Sequence, residues 1–188
     1  KVKIKGKPAH AGLQPEKGIS AIMVASRAIE NMNLLRIDEE TTANIGIVKG
    51  GVATNIVMQD LEIAAEARSL SEEKLDAQTK HMVETFEKAA KEFGAEIEID
   101  INRAYGPFNI DENDEIVQLV KKAFANMNIE GKTASTGGGS DTNILNKNGI
   151  KAVNLGIGMK NAHTLEEYIA IEDLVNSAVM VGEIIKEA

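Results

Sequence analysis

Three short stretches of this chain gather the residue types that do chemistry: Gly6-Lys7-Pro8-Ala9-His10-Ala11-Gly12, Thr136-Gly137-Gly138-Gly139-Ser140-Asp141, and Gly156-Ile157-Gly158-Met159-Lys160-Asn161-Ala162-His163-Thr164. Each follows a segment that reads as strand, and sites in such sheets open beyond strand ends. With three histidines in the chain, imidazole acid-base work or metal ligation falls to His10, His81 or His163. His81 lies mid-helix beside Met82, where surface duty is expected. A lone loop histidine is ordinarily solvated or bonded to backbone. Arg68 ends a strand among Ala64, Ala65 and Ala67; it pairs readily with Glu66, but its planar fork also suits a substrate carboxylate. Taken singly, these signals are weak. The Gly-rich loop lacks the Gly-Lys-Ser/Thr of a phosphate cradle, and Asn161 stands where a dinucleotide motif places its third Gly. Ser140 with His163 as base would make a serine-hydrolase pair, yet Thr142 occupies the position that a nucleophile elbow fills with Gly.

The elements that hold these loops follow from hydrophobic periodicity. Residues 1–7 alternate as a strand. Pro15 opens a helix running to about Asn31, with Ile19, Ile22, Met23 and Ile29 on its apolar face. Strands are expected over 43–48 and 59–69, with Gly50-Gly51 turning the chain between them. Ser71 caps a helix whose apolar face is Leu75, Met82, Phe86 and Phe93, and Gly94 stops it. Ile97, Ile99 and Ile101 alternate with Glu96, Glu98, Asp100 and Asn102 as a further strand. The order β-α-β-β-α-β over residues 1–104 is the ferredoxin-like arrangement, a four-stranded antiparallel sheet covered on one face by two helices. Residues 105–188 read differently: a helix over 115–127, a strand over 132–134, a short helix after the Gly-rich loop, a strand over 151–155 and a last helix from 172. The fold class is therefore α+β, with an incomplete α/β segment after a complete βαββαβ unit.

Composition narrows the function. There is no cysteine, which excludes a disulfide scaffold, a thiolate zinc site and a Cys nucleophile, so any metal must sit on His and carboxylates. A net charge of −8 and 3% aromatic residues argue against nucleic acid as a partner. Apolar runs reach about five residues, far short of the roughly twenty of a bilayer-spanning helix. Lys1 is followed directly by strand-like alternation, which reads as a piece of something longer.

Taken together and in order, the loop at 6–12, Gly50-Gly51 with Asn55-Ile56-Val57, Glu66-Ala67-Arg68-Ser69, Gly137-Gly138-Gly139-Ser140-Asp141 and His163-Thr164-Leu165-Glu166-Glu167-Tyr168-Ile169 resemble the second half of a peptidase T-like zinc tripeptidase. Its metallopeptidase family includes carboxypeptidase G, succinyl-diaminopimelate desuccinylase and the aminoacylases. The similarity spans essentially the whole chain.

The resemblance implies a two-zinc catalytic domain with an inserted lid or dimerisation domain, here residues 1–104, followed by the C-terminal part of the catalytic domain, 105–188. In that scheme His163 ligates one zinc, and Glu167 supports the site rather than the metal. His10 reaches the partner subunit's site and stabilises the oxyanion, with Asn55 close by. Arg68 holds the substrate's carboxylate, while Gly138, Gly139 and Ser140 line the substrate pocket. The remaining zinc ligands and the general-base glutamate belong to a portion that would precede residue 1. The implied parent is a cytoplasmic, homodimeric exopeptidase that hydrolyses short peptides with a zinc-bound hydroxide, without nucleic-acid or membrane partners. The 188 residues alone, holding one ligand of the four or five that two metals need, are expected to be inactive. Two alternatives stay open: a non-catalytic dimerisation and peptide-binding module, or an amidohydrolase of the same family acting on N-acyl amino acids or carbamoyl compounds.

Overall fold

The computed structural model describes residues 1–188, which divide into two compact units, Lys1–Pro107 and Phe108–Ala188. The first contains β1 (Val2–Lys5), α1 (Ala21–Glu30), β2 (Leu35–Arg36), β3 (Thr41–Gly50), β4 (Asp60–Ser69), α2 (Glu72–Phe93) and β5 (Glu96–Ile99). The strands form one antiparallel sheet in the order β2-β3-β4-β1-β5. Val2 and Ile4 face Ile63 and Leu61 on one side and Ile99 and Ile97 on the other, which puts all six on the face packed against the helices. Lys3 and Lys5 stand opposite Glu62 and Asp60, and Glu98 and Glu96, on the other face. Period-two alternation thus separates a buried face from a charge-paired one.

The βαββαβ order stands, with one addition and two corrections. Leu35, at φ +63°, turns the chain back so that Leu35–Arg36 pairs with Thr42 and Ala43, a fifth strand too short to leave a periodic signal. The helix expected from Pro15 to Asn31 begins only at Ala21. Pro15–Lys17 is a single 3₁₀ turn, and Ile19 exchanges backbone hydrogen bonds with Lys7, 2.9 Å each way, instead of entering a helix. Its expected apolar face is also wrong: Ala21, Val24, Ala25 and Ala28 are buried, whereas Ile22 and Met23 are exposed. Small side chains let α1 approach the sheet and α2 closely, and that outweighs the larger transfer energy of the two bigger residues. α2 follows expectation. The Ser71 hydroxyl accepts from the Lys74 N–H, Met82 and Phe86 are buried, and Gly94 closes the helix at φ +71°, a left-handed conformation suited to glycine. His81 is more than a surface residue, since its Nε2 accepts from the Asn33 N–H at 3.1 Å.

The second unit holds α3 (Glu115–Asn126), α4 (Asp141–Lys147) and α5 (Ile171–Glu187). Val117, Ala123 and Met180 are buried, and Glu187 ties α5 to α3 through Lys122 at 2.5 Å and Asn126 at 2.8 Å. No strand forms over 132–134 or 151–155, contrary to expectation. A strand needs a neighbour to take its backbone groups, and this unit offers none. Instead, the Ala152 N–H and C=O are both taken by the side chain of Asn146. No helix in the chain is long and apolar enough to cross a membrane.

Candidate functional site

His10 sits in a loop that backbone hydrogen bonds fasten to the segment before β4. Ala11 N–H donates to the Asn55 carbonyl and Val57 N–H to the Ala9 carbonyl, both at 2.9 Å, with His10 paired opposite Ile56. Gly6 makes the close approach at the loop's base possible. Its N–H donates to Gln59 at 2.7 Å, and a Cβ there would lie 2.0 Å from the Ile19 carbonyl oxygen. The structure therefore brings His10 and Asn55 together, on exposed backbone, at the end of the sheet where β4 begins. The Gly12 N–H donates to His10 Nδ1 at 3.1 Å. An Nδ1 that accepts leaves the ring proton on Nε2, so a neutral His10 offers Nε2–H outward as a hydrogen-bond donor. That donor suits a developing oxyanion.

Arg68 lies at the opposite end of β4, eight residues past Asp60 and roughly 26 Å along the strand at about 3.3 Å per residue. It is not brought near His10. Two residues apart on a strand, Arg68 and Glu66 share a face, and the guanidinium forks onto the carboxylate through Nε at 3.0 Å and a terminal nitrogen at 2.9 Å. That hydrogen-bonded pairing raises the Arg68 pKa against an opposing effect of burial, and keeps the guanidinium a permanent cation.

In the second unit, Ser140 caps α4 in a capping box: its hydroxyl accepts from Thr142 N–H, and its own N–H donates to Asn143 Oδ1 at 3.0 Å. The same hydroxyl donates to Asn154 Oδ1 at 3.1 Å. No imidazole is bonded to it, so the Ser140–His163 hydrolase pair does not form. Gly138 N–H bonds back to the Thr136 hydroxyl, and a side chain on Gly137 would meet nothing within 4 Å, so the Gly137-Gly138-Gly139 loop is an open rim.

His163 is presented by a tight hairpin in which Lys160 and Tyr168 pair. Asn161 and His163 both adopt positive φ, +53° and +65°. Such backbone is costly for a non-glycine residue and persists where the surroundings hold it. Here the holders are Thr164, whose N–H and hydroxyl both donate to the Asn161 carbonyl, and Glu167, whose carboxylate accepts from the His163 N–H at 2.5 Å. Glu167 thus acts on the backbone of His163, a role the His-x-x-x-Glu spacing alone does not reveal. No group of three or more His, Asp or Glu side chains is placed to share a metal ion. Catalytic zinc takes three protein ligands and structural zinc four, so these residues do not by themselves fit a zinc site, and His163 offers one ligand.

Sequence reasoning anticipated Glu66 on Arg68 but missed the other residues that hold these groups: Gly12 on the His10 ring, and Asn146 and Asn154 behind the Gly-rich loop. An asparagine flanking a loop is too common a pattern to have flagged them.

Comparison with known proteins agrees with the fold. The chain is 45% identical to an aminopeptidase PepT from Bacillus cereus ATCC 10987, whose crystal structure superposes with a TM-score of 0.81 over 99% of this chain and 50% of that one. A tripeptidase from Staphylococcus aureus subsp. aureus Mu50 gives 43% identity and a TM-score of 0.87 over 98% of this chain and 49% of that one. The protein YqjE of Bacillus subtilis strain 168 is 49% identical over 97% of this chain and 49% of its own length. The chain spans about half the length of the curated relatives it matches. Residues 1–94, which carry the βαββα run with His10, Asn55 and Arg68, match the peptidase dimerisation domain, and the chain belongs to that family.

Proposed function

We propose that residues 1–104 are the lid and dimerisation domain, and residues 105–188 the C-terminal part of the catalytic domain, of a zinc-dependent peptidase T-like exopeptidase acting on short peptides in the cytoplasm. His163 contributes one zinc ligand. The other ligands and the general base are assigned to the rest of the parent, where a completed metal site would supply water activation. No hydrolytic step belongs to these residues alone, and the isolated chain is expected to be inactive. Their part is to bind and to stabilise: Arg68 takes the peptide's terminal carboxylate, Gly138, Gly139 and Ser140 flank the substrate, and His10 with Asn55 donates to the oxyanion.

The observation that best supports this reading is the separation along β4. A tripeptide reaches about 10 Å when extended, so one copy of the sheet cannot place both His10 and Arg68 on it. Two copies can, if His10 and Asn55 enter the site that the partner's Arg68 serves. The edge of β3 supports pairing of two copies. β2 covers only Thr42 and Ala43, leaving residues 44–50 paired on one side, with Ile47 and Val48 each about half exposed.

Mixed dimers of the full-length enzyme test the reading. Combining a His10→Ala parent with a His163→Ala parent should restore about a quarter of wild-type tripeptidase activity, because half the dimers then hold one intact site. No recovery in verified mixed dimers would show that His10 acts in its own subunit or not at all. A panel including N-acyl amino acids separates the related amidohydrolase. A fragment that dimerises and retains peptide without zinc supports the binding module.

A further inference from the structure

We infer that Asn154 is a positioning residue that holds the Gly-rich loop in its substrate-ready shape; this rests on the assignment of that loop to the substrate pocket. The argument starts from the loop. Gly137, Gly138 and Gly139 in succession carry no side chains to order them, and glycine loses more conformational freedom on ordering than any other residue. Something at the exit must fix the loop. The exit is Ser140, and its hydroxyl is shared between the Thr142 N–H and Asn154 Oδ1. Thr142, the second residue of α4, also donates its hydroxyl to Asn154 Oδ1, at 2.7 Å. One amide oxygen thus takes two hydroxyl donors from the loop exit and the helix start, 14 and 12 residues away in sequence.

Asn154 is itself held. Two residues before it, Ala152 exchanges backbone hydrogen bonds with the side chain of Asn146 on α4, and Asn146 also donates to the Thr142 carbonyl. The two asparagines lace residues 152–154 onto α4. Over 151–155, where a strand was expected and no neighbouring strand exists, the Asn146 side-chain amide takes the backbone bonds of Ala152. Both hydroxyls use the same oxygen, so the Asn154 side chain acts through Ser140 and Thr142.

The test uses the full-length enzyme. Asn154→Ala should raise hydrogen exchange across residues 136–142 while leaving α3 and α5 unchanged, and raise KM for tripeptides about five- to thirty-fold with kcat within about three-fold. Asn154→Asp keeps the accepting oxygen and should restore both readouts. Thr142→Val removes one donor from the other side and should reproduce part of the effect in a variant whose packing is kept. Unchanged exchange in Asn154→Ala overturns the inference whether or not the enzyme proves to be a tripeptidase. Raised exchange with unchanged KM overturns the link to substrate. An enzyme inactive on every tripeptide sinks the peptidase assignment alone, since the exchange experiment still decides the clamp.

Discussion

At the scale of single residues, three of the groups given roles, His10, His163 and Arg68, are each held by a second residue. Gly12 fixes which nitrogen of His10 carries the proton, Glu167 holds the backbone of His163 in a strained turn, and Glu66 occupies the fork of Arg68. The last has a consequence for binding, because a peptide carboxylate has to share or displace the Glu66 contact. A charge-assisted bidentate pair contributes on the order of 1.5–3 kcal/mol. Arg68→Ala in the full-length enzyme should therefore raise KM for carboxylate-bearing peptides about ten- to a hundred-fold with little change in kcat. Arg68→Lys should not rescue it, because an ammonium cannot make the fork. An unchanged KM removes Arg68 from the site. Glu66 stands two residues from Arg68 in the sequence, and on a strand that spacing announces a shared face, so this pairing was legible. The Gly12 contact was not, because it depends on a loop conformation that no periodicity encodes.

At the scale of elements, what could be read from sequence were those whose pattern is strictly periodic or whose ends carry a cap. β5 follows from the alternating isoleucines, though it ends at Ile99 and leaves Ile101 exposed beyond it, and α2 follows from Ser71, Met82, Phe86 and Gly94. Gly94 at φ +71° makes a sharp case: Gly94→Ala should cost about 1 kcal/mol, seen as a lower thermal midpoint of the first unit. A change within error would show that α2 ends without needing the left-handed residue. α1 was misread because its alanines are silent on a hydropathy scale, yet they are the buried stripe. The strands over 132–134 and 151–155 were misread for the opposite reason, since their residues suit a strand but a strand is a property of a pair. β3 shows the same principle at its free edge. A bulge at Gly46 shifts its register on β4 between Ile45 and Ile47, and residues 44–50 present unpaired backbone outward. Replacing Ile47 and Val48 together by Lys should convert a dimer to a monomer in sizing experiments, as charged edge residues oppose strand addition. Persistence of the dimer would place the contact elsewhere.

At the scale of the molecule, the two units are held by different kinds of interaction, and acid should tell them apart. The first is built around Phe86, Ile4 and Val24, with two helices over one face of its sheet. The second buries few apolar side chains and leaves Ile171, Leu174, Val175 and Ile185 of α5 exposed. It relies more on polar ties. Hydrogen bonds from Thr133 and Lys121 lower the Glu112 pKa, those from Lys151 and the Ile116 N–H lower that of Asp114, and those from Lys122 and Asn126 lower that of Glu187. In the first unit the only carboxyl group shifted in this way is Asp38, through the Glu40 N–H with Thr41 and Lys74. A carboxylate whose folded pKa lies below its unfolded value stabilises the fold fully above the unfolded value, and that stabilisation drains away as pH falls through the folded one. For Glu112 and Glu187 the loss begins near their ordinary value of 4.5, and for Asp114 near 3.8. Hydrogen exchange followed from about pH 6 to 3 should thus show α3 and α5 losing protection while α2 and the sheet keep theirs. Moderate salt should narrow the gap, because the ion pairs with Lys121, Lys122 and Lys151 are screened. Loss of the sheet first, or loss of both units together, would mean that the carboxylates are not what separates them.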